Sequence, residues 1–313
     1  MEINYNSVSD LRAFLDKEGL GMRKKFGQNF LINGDHRLKL AEALGGEDSP
    51  DRRGGEVWEI GPGIGAMTRL LLDRGFRVRA FEIDPGFVRV LKILFRDDEG
   101  FALVEGDVMK TWPSAPAAPF LLGNLPYNIG AALLGDLIEG GRLFRRMVLT
   151  VQNEVALRMA ARPGSSEYSS FSVLCSSVYT VRPLMLIRGA SFYPRPNVDS
   201  RGLALELRGD IKADTYPPCF YPLVRRLFSS RRKMIKNKLR GFIAGGAGRD
   251  ADELCAELLR SSGLKGDERA ETLGVDDFLA LAKNLENMRI LNHSQNVNIR
   301  FDGNGFGKIN VRG

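Results

Sequence analysis

The chain has 313 residues, 43% of them hydrophobic and 27% charged, enough apolar content for one large or two ordinary packed domains. Its net charge is +7 and its pI about 9.4, a balance that favours a polyanionic partner without identifying one. Three well-separated cysteines (Cys175, Cys219 and Cys255) form neither a disulfide framework nor a zinc-binding pattern, and two histidines (His36 and His293) argue against histidine-driven hydrolysis. No run approaches the ~20 apolar residues of a membrane span. The polar, helix-like segment 1–20, with Val8, Leu11 and Leu15, carries no cleavage signal, so a soluble, cytoplasmic protein is expected.

In chain order, Glu56–Ile60 reads as a strand and Met67–Asp73 as a helix. Arg77–Phe81 is a second strand ending at Glu82, followed by a helix over Phe87–Leu94. Ala102–Val104 is a third strand ending near Asp107, and Phe120–Leu122 a fourth. A helix at Leu133–Ile138, a strand at Met147–Val151 and a helix at Glu154–Ala161 continue the alternation. Such alternation predicts a parallel sheet covered on both faces. A short helix near Ser170–Ser177 precedes two late strands, Val181–Arg188 and Leu203–Leu207, separated by a Pro-rich loop. Tyr216-Pro217-Pro218 marks a boundary, after which the pattern is helical to about Glu286. The expected domains are therefore residues 1–209, 210–286 and an Asn/Gly-rich, flexible tail over 287–313.

Four strand ends carry polar or glycine-rich chemistry. Gly61-Pro62-Gly63-Ile64-Gly65 lies between a strand and a helix, where glycines let a ligand approach the backbone closely. Glu82, 21 residues after Gly61, is placed to hold both hydroxyls of a ribose. Asp107 is placed to accept the exocyclic amine of an adenine. Asn124, Leu125, Pro126 and Tyr127 supply an amide, rigid backbone carbonyls and an aromatic ring at the fourth strand end. That set suits a flat base bearing an amine, which can donate to the amide oxygen and stack on the ring. A dinucleotide enzyme shares the first two features but does not ordinarily place Asn-Leu-Pro-Tyr at this strand. The ordered set points to methyl transfer onto a nucleobase amine.

Six segments together resemble one family: KKFGQNFL at 24–31, EIGPGIG at 59–65, FEID at 81–84, NLPYNI at 124–129, SFYPRPNVDS at 191–200 and FSSRRK at 228–233. They are similar to the KsgA family, the small-subunit ribosomal RNA adenine dimethyltransferases, over about residues 23–286. The resemblance implies a Rossmann-like methyltransferase domain, a smaller all-helical C-terminal domain and S-adenosyl-L-methionine as methyl donor. It implies as acceptors two adjacent adenines in a hairpin loop near the 3′ end of 16S rRNA, within the pre-30S particle. Carried over to this sequence, Asn29 and Leu31 contact the cofactor, Gly61 its methionine end, Glu82 its ribose and Asp107 its adenine. Asn124 bridges donor and acceptor, and Tyr127 and Phe192 sandwich the target base. No metal is implied, and a monomer is expected. The chain departs from many relatives in Gly130-Ala131, where they carry Ser-Thr, and in Ser230, where they carry Gln.

The chemistry needs position more than proton abstraction. An adenine amine is a weak nucleophile because its lone pair is delocalised, and it loses its proton readily once alkylated. Hydrogen bonds to the Asn124 side-chain oxygen and the Leu125 carbonyl turn that lone pair toward the methyl. The base must leave its stack to reach such a pocket. For RNA affinity, residues 225–240 contain eight Lys/Arg and no acid. At helical spacing Arg232, Lys236 and Arg240 share a face, and Arg231 and Lys233 extend the charge. Competing readings are a large-subunit rRNA adenine methylase of the macrolide-resistance type, a DNA adenine methylase and a non-catalytic ribosome-assembly factor. Leu125 before a single proline disfavours the DNA enzyme, which carries Pro-Pro-Tyr.

Overall fold

The computed structural model describes residues 3–21, 28–45, 54–126, 129–211, 215–230, 232–243 and 251–288, with two strands beyond. Two compact units emerge, one of residues 1–160 and 179–209, the other of 161–178 and 210–313.

The first unit opens with α1 (Val8–Lys17), capped by the Ser7 hydroxyl, then β1 (Phe30–Leu31) and α2 (Gly34–Leu44), capped by Asn33. Then follow β2 (Glu56–Ile60), α3 (Ala66–Asp73), β3 (Arg77–Glu82), α4 (Pro85–Leu94), β4 (Phe101–Glu105) and α5 (Val108–Thr111). The alternation continues through β5 (Phe120–Asn124), α6 (Gly130–Glu139), β6 (Arg146–Gln152) and α7 (Asn153–Met159). After α8 (Ser170–Val178), which belongs to the second unit, the chain returns as β7 (Tyr179–Ile187), β8 (Phe192–Tyr193) and β9 (Ser200–Leu207).

Seven strands form one sheet in the order β4-β3-β2-β5-β6-β9-β7. The strands from β4 to β6 are parallel, and their apolar side chains, such as Val57, Trp58, Leu121 and Leu149, are buried as expected for a sheet covered on both faces. The sheet is not wholly parallel: β9 runs antiparallel to both β6 and β7. The reason is connectivity, since β7 and β9 are joined through a Pro-rich loop with no crossover helix to reverse the chain. Strand order reverses between β2 and β5, which opens a crevice at the carboxyl ends of those strands. A separate two-stranded ladder pairs Phe30 with Tyr193 and Leu31 with Phe192, joining segments distant in sequence.

The second unit packs α8 with α9 (Phe220–Phe228), α10 (Ile235–Ile243), α11 (Ala251–Ser261) and α12 (Val275–Asn287). Its core contains Val173, Phe220, Leu223, Leu239, Leu258, Phe278 and Leu281. The 1–209 boundary read from the sequence is corrected here. Residues 161–178 join the helical unit because Val173 lies in that core, the Tyr168 hydroxyl donates to the Leu273 carbonyl (2.9 Å), and the Tyr216 hydroxyl donates to the Ser177 carbonyl (2.6 Å). In the 287–313 segment, β10 (Arg300–Phe301) pairs with β11 (Gly307–Lys308); the remainder past residue 288 lies outside the described residues. Among the described residues no helix is long and apolar enough to cross a membrane.

Candidate active site

A cleft opens at the switch in strand order. Its walls gather Asn29, Leu31, Gly61, Glu82, Asp107, Asn124 and Pro126, residues spread over almost a hundred positions of sequence. Apart from Asn29, which precedes β1, each comes from a strand end or the turn after it. The glycine loop between β2 and α3 holds Gly61, Gly63 and Gly65 at positive φ (67°, 57° and 83°), which side chains rarely tolerate. At Gly63 a Cβ would lie 2.7 Å from the Phe30 ring, whereas at Gly61 it would meet nothing within 4 Å. Gly63 thus keeps the loop against β1, and Gly61 leaves open space in the cleft.

Glu82, the last residue of β3, is buried and braces the loop. The Gly63 N–H donates to its Oε2 (3.1 Å) and the Asp84 N–H to its Oε1 (2.8 Å). With the Ile83 N–H also directed at the carboxylate, acceptor capacity for one further donor remains. Beside it, buried Glu59 accepts from the Thr68 hydroxyl (2.6 Å). Burial pushes both carboxyls up to about 7. Asp107 caps α5, one oxygen accepting from the Met109 N–H (3.0 Å), and it also faces the cleft. It lies two residues past the end of β4 rather than on the strand, because Gly106 turns the chain with φ at 117°.

Asn124, the last residue of β5, donates from Nδ2 to the Asn29 carbonyl (2.8 Å). This bond fixes the amide orientation and leaves Oδ1, which has no partner among the described residues, as an acceptor. The Leu125 N–H donates to the Thr150 carbonyl, while the Ile129 and Gly130 N–H groups donate to the Pro126 carbonyl. The Pro126 oxygen is therefore engaged by the start of α6, and the Leu125 carbonyl accepts no hydrogen bond among the described residues. Tyr127 lies outside the described residues.

Phe192 differs from expectation. It is paired across from Leu31, 3% exposed and clustered with Leu31, Leu40 and Ile187, and it is not among the residues that line the cleft. The cleft residues not foreseen from the sequence include Glu59, Arg37 on α2, and Ile83, which is 43% exposed next to Glu82. Glu59 was visible as an acid set between apolar Trp58 and Ile60 on a strand. Ile83 had a signal too, an apolar residue between two acids.

In the helical unit, α10 begins at Ile235, so Arg232 and Lys233 precede the helix and only Lys236 and Arg240 share it. An isolated bridge pairs Met234 with Arg269 just ahead of the helix. Arg232, Lys233, Lys236 and Arg240 are exposed; Arg231 lies outside the described residues. The acid-free run in sequence is not acid-free in space, because Asp252 of α11 pairs with Arg240. Lys238 is buried, donating to the Ser229 hydroxyl (2.7 Å), with its pKa lowered by desolvation and by Arg226 and Lys233. No group of His, Cys, Asp or Glu among the described residues could hold a metal ion.

Sheet order, glycine loop and strand-end carboxylate define an S-adenosylmethionine-dependent methyltransferase. The residues present fit that cofactor: open space at Gly61, unused acceptor capacity on Glu82 and Asp107, and the apolar Ile83 between them. The ribosomal RNA adenine dimethylase profile matches residues 19–286, and the chain belongs to that family. It is 43% identical over 288 residues to a ribosomal RNA small subunit methyltransferase A of Treponema pallidum, covering 90% of this chain and 97% of the relative. The like-named protein of Treponema denticola is 41% identical, with 89% and 94% covered. Among solved structures, a dimethyladenosine transferase from Plasmodium falciparum superposes with a TM-score of 0.70 at 24% identity, covering 82% of this chain and 96% of that one. The chain is thus an S-adenosylmethionine-dependent rRNA adenine dimethyltransferase.

Proposed function

We propose that the chain transfers methyl groups to N6 of two adjacent adenines in a hairpin loop near the 3′ end of 16S rRNA. It acts in the cytoplasm, as a monomer, on the pre-30S small subunit. The observation that carries this reading is the Asn124 amide, held by the Asn29 carbonyl so that its oxygen is left to accept. Small-subunit relatives at 41–43% identity favour this acceptor over a large-subunit one.

When bound, S-adenosylmethionine supplies an electrophilic methyl on a sulfonium sulfur. Gly61 lines the methionine end of its site, with Asn29 and Leu31 on the adjoining wall. Glu82 accepts from the ribose hydroxyls and Asp107 from the adenine amine. On the acceptor side, Asn124 Oδ1 and the Leu125 carbonyl accept the two N–H bonds of the target amine and orient its lone pair. Pro126 holds that carbonyl rigidly, since its own oxygen anchors α6. Tyr127 stacks on the base. The methylated amine releases its proton to solvent, so no strong base is required. Within the cation set, Arg231, Arg232, Lys233, Lys236 and Arg240 bind RNA phosphates.

The test is transfer of labelled methyl groups to small subunits that lack the modification, followed by mapping of the modified nucleotides. Two adjacent dimethyladenosines near the 3′ end are expected. Label confined to large-subunit RNA or to DNA overturns the reading.

A further inference from the structure

The N-terminal segment lies against the cofactor cleft through contacts that the family chemistry does not explain. The Tyr5 hydroxyl donates to the carbonyl of Ile64, in the middle of the glycine loop (3.2 Å). Leu11, Phe14 and Leu15 of α1 share a core cluster with Ile64, Phe87 and Val90, and Tyr5 packs against it. On α2, Arg37 is 7% exposed and lines the cleft. Its guanidinium donates to the Leu31 carbonyl (2.6 Å), to the Asn6 side-chain oxygen (2.5 Å) and, at longer range, to the Tyr5 carbonyl (3.4 Å). Among the described residues it meets no carboxylate. A buried guanidinium is costly unless its donors are satisfied, so these neutral oxygens fix where it sits. Gly34 makes room for the contact: a Cβ there would stand 3.0 Å from the Asn6 oxygen.

These bonds join into one path. Ile64 of the glycine loop is tied to Tyr5, Tyr5 and Asn6 to Arg37, and Arg37 to Leu31 of β1. Two residues earlier on that segment, the Asn29 carbonyl orients Asn124. We propose that Tyr5 and Arg37 are positioning residues for the known reaction, holding the glycine loop and the Asn29–Leu31 wall at one fixed separation around S-adenosylmethionine. The inference rests on the cofactor assignment above. Burial keeps the Tyr5 hydroxyl protonated, with its pKa pushed up to about 12, so the donor persists across the physiological range. Neither residue touches the reacting atoms. Both act through backbone carbonyls that shape the walls.

The experiment measures S-adenosylhomocysteine affinity by calorimetry and methyl transfer to unmethylated small subunits, both per folded molecule, for the full chain. Tyr5→Phe removes one hydrogen bond and keeps the ring in its cluster. It is expected to weaken affinity about 3- to 10-fold while the unligated Tm falls by no more than about 4 °C. Arg37→Met is expected to weaken affinity and also lower kcat at saturating cofactor about 10-fold, because the Asn29 wall loosens. Arg37→Lys, which keeps one donor for the Leu31 carbonyl, is expected to recover part of both. A purely structural role predicts lower Tm with wild-type affinity and kcat per folded molecule, and that result overturns the proposal. If Arg37→Met does not fold, Tyr5→Phe decides alone, and unchanged affinity in it is equally fatal. Wild-type protein with no affinity for S-adenosylhomocysteine overturns the cofactor assignment and this inference together; normal wild-type binding with unaltered variants overturns this inference only.

Discussion

Asn124 in the α/β unit and Lys236 in the helical unit are both polar residues whose roles were expected from sequence, yet they are held in opposite ways. Asn124 ends a buried strand, and its amide is clamped by a carbonyl 95 positions away in sequence. Lys236 stands exposed on α10. The same contrast separates Glu82, buried and bonded to backbone N–H groups of the glycine loop and of the turn after β3, from Arg232, exposed ahead of its helix. Groups that orient a reacting atom need fixed positions, so they are buried and cross-linked. Groups that neutralise a polyanion need only charge and reach, so they stay in water. Substitutions in the first region should change affinity, kcat or stability steeply, and substitutions in the second should change salt dependence.

Phe192→Ala tests how far the core extends into the motif segments. Because Phe192 is packed with Leu31, Leu40 and Ile187, truncation should cost about 3–5 kcal/mol of unfolding free energy, read from urea denaturation. A loss of methyl transfer with unchanged stability would show that the ring leaves the core to meet the base.

Asn124→Ala should cost on the order of 3 kcal/mol in the transition state, a fall in kcat of about two orders of magnitude, with cofactor affinity kept within about tenfold. Near-normal turnover would remove the clamped amide from the mechanism.

Glu82→Ala should weaken S-adenosylmethionine binding by roughly 1.5–3 kcal/mol, measured by calorimetry. A subtler effect follows from its titration. Burial raises Glu82 and Glu59 from 4.5 to about 7, so the folded chain binds more protons than the unfolded one between those values. These two groups therefore subtract stability as pH rises through that window, and the full penalty stands above about 7. Ionised Glu82 is the better acceptor for ribose hydroxyls, so cofactor affinity should rise over the same range. Glu82→Gln should flatten that rise, and an unchanged pH profile would refute the assignment.

The smallest effects belong to the basic unit. Reversing charge at Arg232 and Lys236 should lower the log–log salt slope of particle binding by about 1.5–2 units while leaving cofactor affinity unchanged. Arg240→Ala should change the slope by less than Lys236→Ala does, because Asp252 already pairs with it. Equal slopes for the two single variants would mean that the Arg240–Asp252 pair opens on RNA.

The sequence by itself determined the alternation of strands and helices, the helical character of the C-terminal region and the positions of Gly61, Glu82, Asp107 and Asn124 at successive strand ends. Those features are local: apolar periodicity, glycine before a helix and an acid after a strand all act over a few residues. Tertiary structure decided what depends on distant partners. It reversed β9, moved residues 161–178 into the helical unit, turned Phe192 into the core and set Asp252 against Arg240. It also placed α2, which the periodicity reading passed over, so that Arg37 meets Leu31 and Asn6 at the cleft wall. None of these is encoded in a window of residues, because each depends on which buried surface or carbonyl a distant segment presents. The orientation of the Asn124 amide is the clearest case. Its identity was legible at one position, but which of its atoms is left to accept a hydrogen bond depends on Asn29 folding against it.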